Sequence, residues 1–488
     1  MYPKTSKQKR LIKLIIIYII MGVAVISIAT LIFMFVLGYR FDKDKGYIEQ
    51  YSFLQFNSSP SGAIVSVDGD IVSSKTPNKI LVPAGTHSVV MQRDGYEDWN
   101  KTVVVKEASL TRLNYALLVP KKLDIESMAN YASVSSSLAS SDGRSMLIQE
   151  QADIPTFDLV DLSSDAIKST KLTIPSNIYS ESSTLGVIHA FHIIKWDDGG
   201  RYVLIKHNYG DKEEWLVIDV QDESASKNIT RLFNIAINNI YFFGTDGNSF
   251  YVSSQNEIRK LDLAAGVISR PLVSNVTSFS VYNESNIIIY IGTGVVGTDE
   301  QVAGLYRDGD ETSYTLRTVA KKDIPLKITT THYFNEDYVA ISEGKKVDIL
   351  SGSYPYSVDE DTTSLKIVDS FESKQDIGSL SFSPSGEYVF VQSGSYFASY
   401  DLEYQNLSES TMDGIGDTPA FKWLNNSYIW SDRDNSLTIR EFDGSNSHVI
   451  NPVISGQSVT LTHNKRFLYS INKLESGYQL QRVRIILI

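Results

Sequence analysis

The side chains able to do chemistry are spread thinly through this sequence. There is no cysteine, which removes disulfides, thiolate metal sites and cysteine nucleophiles together. Seven histidines are present, and His189 and His192 stand three apart in a strand-like run. Strand side chains alternate between faces, so that spacing sends the two imidazoles to opposite sides. A structural or surface role is expected for both, because no carboxylate completes a ligand set at recognisable spacing. Gly292-Thr293-Gly294 with Gly297 has the look of a phosphate loop, but it leads into Asp299-Glu300 and no helix, and reads as a hairpin loop. Asp359-Glu360-Asp361 lacks an ordered series of oxygen ligands for Ca²⁺ and reads as a solvated loop. There is no HExxH, no P-loop and no G-x-S-x-G elbow. The expectation is therefore no catalytic residue, no metal and no cofactor. A pair of glycosidase carboxylates stays open as the rival, since 57 acids offer many pairs and a sequence shows no separations.

The elements that would position any site begin with Leu14–Leu37, 24 residues without a charged side chain. As a helix rising about 1.5 Å per residue it reaches roughly 36 Å, enough to cross a hydrocarbon core of about 30 Å. Lys4, Lys7, Lys9, Arg10 and Lys13 precede it, and no acid appears before Asp42. That asymmetry predicts a basic cytoplasmic tail over 1–13, a transmembrane helix over 14–37, and roughly 450 residues on the other side. A cleaved signal peptide would have an apolar core of about 7–15 residues ending in small residues. This run is longer and closes with Phe-Val-Leu-Gly-Tyr-Arg, so an uncleaved anchor in contact with the lipid bilayer is expected.

Six of the 45 basic residues and none of the 57 acidic ones lie in residues 1–40, so the remainder carries a net charge of about −18. An acidic exterior repels phosphate backbones, which excludes nucleic acid as the natural partner. Tyr (28) and Phe (20) are abundant, and Val, Ile and Thr recur. With no long amphipathic run after residue 40, the ectodomain reads as all-β. Lack of cysteine in so large an ectodomain favours a bacterial origin.

After a spacer over 38–53, residues 54–120 read as a small module of short strands. Ile64–Val67 alternates and ends at the hairpin dipeptide Asp68-Gly69. Lys79–Val82, Thr86–Arg93, Lys101–Lys106 and Leu110–Leu118 follow, separated by Pro83-Ala84-Gly85 and Asp94-Gly95-Tyr96. On Ser59-Pro60-Ser61-Gly62-Ala63, Val67-Asp68-Gly69, Thr76-Pro77, Gly85-Thr86-His87 and Asp94-Gly95-Tyr96, this stretch resembles the PEGA domain. That resemblance implies a small, non-catalytic β-sandwich of prokaryotic surface and envelope proteins. Ser61 stands where the name-giving motif has Glu. Pro60 pre-sets a turn and Gly62 permits positive φ. Tyr96 and Trp99 are expected in the core, because so small a sandwich needs large side chains to bury enough area.

From 123 to 488 a turn followed by an apolar strand recurs. Its clearest copy is Ser379–Asp401, with Phe382-Ser383-Pro384-Ser385-Gly386 as the turn. Others centre on Asp142-Gly143, Asp198–Tyr202, Asp246-Gly247, Asn283–Ser285, Asn335–Asp337, Asn425–Ser427 and Asn464-Lys465. A further strand often ends near an acid, as at 158–162, 215–220, 258–263, 397–402 and 437–443. The marks lie roughly 37–56 residues apart, a period that predicts a seven- or eight-bladed β-propeller. Arg482–Ile488 is apolar enough to complete a blade begun near Leu123. The Phe382–Val391 copy resembles the turns of WD-repeat and Tol-type propellers, though no Trp-Asp signature recurs. Sialidase-type propellers repeat a Ser-x-Asp-x-Gly-x-Thr-Trp box, and Ser431-Asp432-Arg433-Asp434 lacks its Gly and Trp. The functional expectation is a non-catalytic, membrane-anchored binding or scaffolding protein of the cell envelope, with cell-wall glycan or an envelope or surface protein as partner. A carbohydrate-active hydrolase and a surface sensor are the alternatives.

Overall fold

The computed structural model describes residues 7–36, 38–41, 46, 48–181, 186–294, 298–320, 324–354, 364–412 and 421–486. Lys4, Gly297 and Asp359-Glu360-Asp361 lie outside the described residues. The chain divides into two compact units, with the break between Lys122 and Leu123.

The first unit opens with one helix, Lys7–Val36. It begins seven residues before the apolar run, so the helix takes in Lys7, Lys9, Arg10 and Lys13. The most apolar 18-residue window of this helix has a mean hydropathy of 2.8, and none of that window is buried by protein. It is long and apolar enough to cross a membrane.

Two four-stranded sheets follow. In one, Ile48–Ser59 pairs antiparallel with Tyr39–Phe41 and Asn78–Pro83, and parallel with Leu110–Leu117. In the other the order is Asp70–Ile71, Ile64–Val67, Gly85–Gln92, Trp99–Val105. Two strands, Tyr39–Phe41 and the start of Ile48–Ser59, thus fall inside the stretch expected to be a spacer and pair with each other. Side chains alternate in and out along these strands, as period-two geometry requires. The inward set, including Leu54, Phe56, Val65, Val89, Met91, Val105 and Leu113, forms one core. Tyr96 and Trp99 belong to it, at 2% and 1% exposed.

Among the described residues the second unit contains eight four-stranded antiparallel sheets, at 136–173, 189–228, 239–268, 276–320, 327–372, 379–411, 422–452 and 460–484. The eighth takes its fourth strand, Asp124–Tyr131, from the start of the unit, paired along Gly477–Arg484. Each of the eight marked turns falls between the first and second strands of a sheet. Middle strands are buried on both faces, as in Ile287–Thr293 and Tyr388–Ser393, whereas the fourth strands Lys168–Thr173 and Asn406–Thr411 are largely exposed. That is why the middle strands read as continuous apolar runs. Apolar clusters join each sheet to the next from the first to the seventh, and another joins the last to the first through Met146, Ile148, Phe467 and Leu480. The unit is propeller-like.

Candidate ligand-binding cleft

The turn motif turns out to be a seating device. Gly386 has φ +80, and a Cβ there would lie 2.6 Å from Thr331 Oγ1 and 3.0 Å from the His332 carbonyl of the preceding sheet. Ser383 closes the turn from inside, its hydroxyl accepting from the Tyr388 N–H at 3.1 Å. Phe382 packs into the core shared with the fifth sheet, and Pro384 sits in the same turn. Gly143 does the equivalent between the first and eighth sheets, where a Cβ would lie 2.4 Å from the Leu461 carbonyl. The acids that end third strands cap the following turns: Asp401 Oδ1 accepts from the Glu403 and Tyr404 N–H groups, and Asp219 Oδ1 from Gln221 and Asp222. Arg201 adds a two-pronged contact to Asp219, closest at 2.7 Å. Burial works to raise the Asp219 carboxyl, and these donors hold it below the usual range. The 431–434 stretch is likewise structural, with Asp432 Oδ2 accepting from Gly456 N at 2.7 Å.

The PEGA-like positions are also brought together. Thr76 Oγ1 accepts from the Gly62 and Ala63 N–H groups at 3.0 and 2.9 Å. Its proton goes to Ser58 Oγ at 2.6 Å, whose own proton goes to the Pro60 carbonyl. The 60–63 loop is thereby tied to Thr76-Pro77, with Gly62 at φ +88 and Ser61 facing solvent. Asp68, at the hairpin with Gly69, accepts from His87 Nδ1 at 2.6 Å and Ser88 N at 2.9 Å, and both hold its carboxyl low. The Gly85 turn opens the strand carrying His87. Gly95 and Tyr96 bond to Lys121 and Pro120 at the end of the module.

His192 is exposed and His189 points to the opposite face, as the spacing required. What the spacing did not reveal is the partner. His189 Nδ1 meets His207 Nε2 at 2.9 Å, and His207 Nδ1 meets Glu214 Oε1 at 2.9 Å. Ser180 N, Ser180 Oγ and Asn228 Nδ2 also donate to Glu214, at 2.6, 2.7 and 2.8 Å. Burial pushes this carboxyl up, but the four donors overcome it and hold it at about 2. His207 stacks on Phe191 at 4.2 Å. The signal was available in the hairpin register, since His207 and Glu214 are direct cross-strand partners. Three groups in a line do not converge on a metal. Among the described residues no cluster of three or more His, Asp or Glu is placed to hold one.

A groove with a largely polar lining lies between the fourth and fifth sheets, a cleft of about 410 Å³. Glu284 comes from the first turn of the fourth sheet, and Arg307 and Asp308 from the end of its third strand. His332, Asp337 and Tyr354 come from the fifth. Asp337 accepts from His332 Nδ1 at 2.8 Å and from Tyr354 N at 2.7 Å, so His332 Nε2 is the nitrogen left to a ligand. Asp308 is anchored from the third sheet by Lys260 at 2.7 Å and by the Tyr251 hydroxyl. Tyr282 bridges the two walls: its hydroxyl donates to Glu284 Oε2 at 2.7 Å and accepts from His332 N at 3.0 Å. Burial and the adjoining Glu284 push that phenol up to about 12, which keeps it a donor. The turn joining His332 to Asp337 carries Phe334, 71% exposed with φ +53. Gly292-Thr293-Gly294 sits at the hairpin between Ile287–Thr293 and Glu300–Arg307.

These features define a small sandwich followed by a propeller-like unit with a polar inter-sheet cleft. Residues 52–119 match the PEGA domain family. No curated protein matches the chain. Solved structures similar to it include the β-propeller domain of Myceliophteria thermophila Cps50 (Swd1), at 12% identity and TM-score 0.40, covering 66% of this chain and 97% of that one. Kluyveromyces lactis Hsv2 is similar at 11% identity and TM-score 0.38, over 73% of this chain and 100% of that one. An oligogalacturonate lyase in complex with manganese is similar at 9% and 0.38, over 58% and 86%.

Proposed function

We propose that this chain is a non-catalytic, single-pass protein of a bacterial envelope, with its N-terminus cytoplasmic and the rest extracytoplasmic. In chain order it carries an anchor, a PEGA-type stalk and an eight-bladed β-propeller head that serves as a binding platform. Its partner is cell-wall glycan or an envelope or surface protein. The observation that carries the reading is the helix: a wholly uncovered run from Lys9 to Val36 needs an apolar solvent, and its basic residues all stand at one end. Support for eight blades comes from the eight sheets and from Gly143 of the first seated against Leu461 of the last. Support for a binding role comes from the cleft, whose carboxylates are each already held by internal donors. A hydrolase is the second reading, favoured by His332 being oriented by Asp337 beside other acids, as a general base would be.

Two measurements on the full chain test this. Protease added to intact spheroplasts should remove everything beyond the helix and spare an N-terminal tag; an untouched head would sink the topology. Co-sedimentation with cell-wall sacculi should retain the protein without releasing soluble glycan. Accumulating fragments would overturn the non-catalytic reading in favour of the hydrolase.

A further inference from the structure

We infer that the outer face of the sandwich's first sheet seats on the lipid headgroup layer beside the helix, so that the PEGA-type unit touches the membrane through more than its anchor. The inference rests on the anchor reading and adds a second membrane contact to it.

The helix ends at Val36, and the chain turns at once into the sheet. Gly38, at φ +87, donates its N–H to the Phe35 carbonyl at 3.2 Å and accepts from the Tyr51 N–H at 2.8 Å. The fit is close: a Cβ on Gly38 would lie 2.4 Å from the Tyr51 carbonyl. Arg40 stands opposite Glu49 in the antiparallel pair, so the two side chains share a face. Alternate residues along a strand do the same, which puts Tyr51 and Phe53 on that face too, turned away from the core side of Leu54 and Phe56. The Arg40 guanidinium lies over the Phe35 ring, 3.4 Å from its centre, and brings the last turn of the helix to this same side of the sheet.

Three rows of side chains cross the face. Pro83 stands opposite Tyr51, and Leu81 and Leu110 flank Phe53. Phe53 and Leu81 are each 41% exposed. Lys79, Gln55 and Arg112 make the third row, with the Lys79 ammonium 4.2 Å from the centre of the Phe53 ring. Polarity therefore changes with distance from the helix, from aromatic and apolar to basic. Aromatic rings are favoured at a bilayer interface, and basic groups just outside it are drawn to anionic lipid. The three rows hold two bases and no acid, whereas the chain beyond residue 40 carries about −18.

The depth also fits. With the apolar run ending at Leu37, Gly38 marks the hydrocarbon edge. Phe53 is two residues past Tyr51, about 7 Å of strand, and the headgroup layer on one side of a bilayer is about 5–8 Å thick. The aromatic row is therefore no further out than the headgroups, whatever the tilt of the strand. The second sheet offers no comparable face. Ile71 and Val104 are exposed there, but on opposite edge strands, with Ser66 and Ser88 on the strands between them.

The chain has no cysteine, so single cysteines report position without any being removed. The test places spin labels one at a time at Leu81→Cys, Thr102→Cys and Ile26→Cys in the full chain, in nanodiscs of phosphatidylethanolamine and phosphatidylglycerol. Relaxation of each label is measured with nickel chelated on a lipid headgroup and, separately, with a free aqueous nickel chelate. Leu81 and Thr102 are exposed, so both variants are expected to fold, which hydrogen exchange over Ile48–Ser59 verifies. The expected result is that lipid-borne nickel relaxes the Leu81 label, only free nickel relaxes the Thr102 label, and neither reaches Ile26. A Leu81 label relaxed by free nickel alone, with Ile26 still shielded, would overturn the seat and leave the anchor standing. A Leu81 label reached by neither would also overturn it, because protein, a second copy included, would then cover the face. An Ile26 label open to free nickel would remove the anchor, and the seat with it.

Discussion

Replacing Glu214 by Gln removes one charge from the interior of the second sheet and changes almost no volume. In the native chain four donors meet two carboxylate oxygens: Ser180 N and His207 on Oε1, Ser180 Oγ and Asn228 on Oε2. A Gln amide puts an NH₂ where one oxygen stood, so two donors face a donor whichever way it turns. The Ser180 hydroxyl can rotate and His207 can change tautomer, but at least one buried N–H remains unpaired. That costs about 1–3 kcal/mol, and the surviving bonds lose charge assistance worth roughly 1 kcal/mol each. An independent route agrees, since holding the carboxyl at about 2 instead of 4.5 is worth about 3 kcal/mol above pH 4.5. About 3 kcal/mol is roughly a hundredfold in a local opening equilibrium. A chain of several units does not unfold in one step, so a global melt is the wrong probe. Hydrogen exchange by mass spectrometry across Tyr202–Asp219 at neutral pH reads the sheet directly, and exchange about a hundredfold faster is expected. The pH dependence follows from the sign. A carboxyl lowered on folding stabilises fully above its unfolded value, and that stability is lost as pH falls through 4.5 towards about 2. The wild-type advantage over the variant should therefore be constant above pH 4.5 and close below it. Acceleration of less than about threefold at neutral pH would refute this account of the carboxylate.

Thr76→Val keeps the shape of the PEGA-type loop but orphans the Ala63 N–H, costing about 1–3 kcal/mol; unchanged exchange over Ile64–Val67 would contradict it. Gly143→Ala should destabilise the first and eighth sheets by roughly 2 kcal/mol or more, because its Cβ meets the Leu461 carbonyl at 2.4 Å. Gly266→Ala, at a similar φ with open space around it, should lose only about 1 kcal/mol, and equal losses would deny the close approach between first and last sheets. Asp68 is held below its ordinary 3.8 by His87 and Ser88, so the sandwich should lose stability as pH falls below that value. Asp68→Asn should flatten that acid limb in a pH series of sandwich exchange.

Several features needed no coordinates. The apolar helix is legible because its 24 uncharged residues run on without interruption, as many as a bilayer-crossing helix needs. The eight turns were legible because Gly and Asn mark positions of positive φ, and the strand after each is apolar throughout when both its faces are covered. Tyr96 and Trp99 were predictable core residues for want of any other way to fill so small a sandwich.

The site was not legible, and the reason is distance along the chain. Asp308 owes its place to Lys260, and Tyr282 meets His332 across fifty residues. Such pairs are set by how one sheet lies on the next. His207 and Glu214 form the intermediate case, recoverable from a short hairpin once its register is known. The sequence by itself therefore determined the long apolar helix, the strand-and-turn period and the sandwich motif, all of which follow from local sterics and burial. Only the tertiary structure decided which acids lock a histidine and which line a cleft, because the donors that fix them come from other strands and sheets, whereas turn-capping acids such as Asp401 take theirs from the residues that follow.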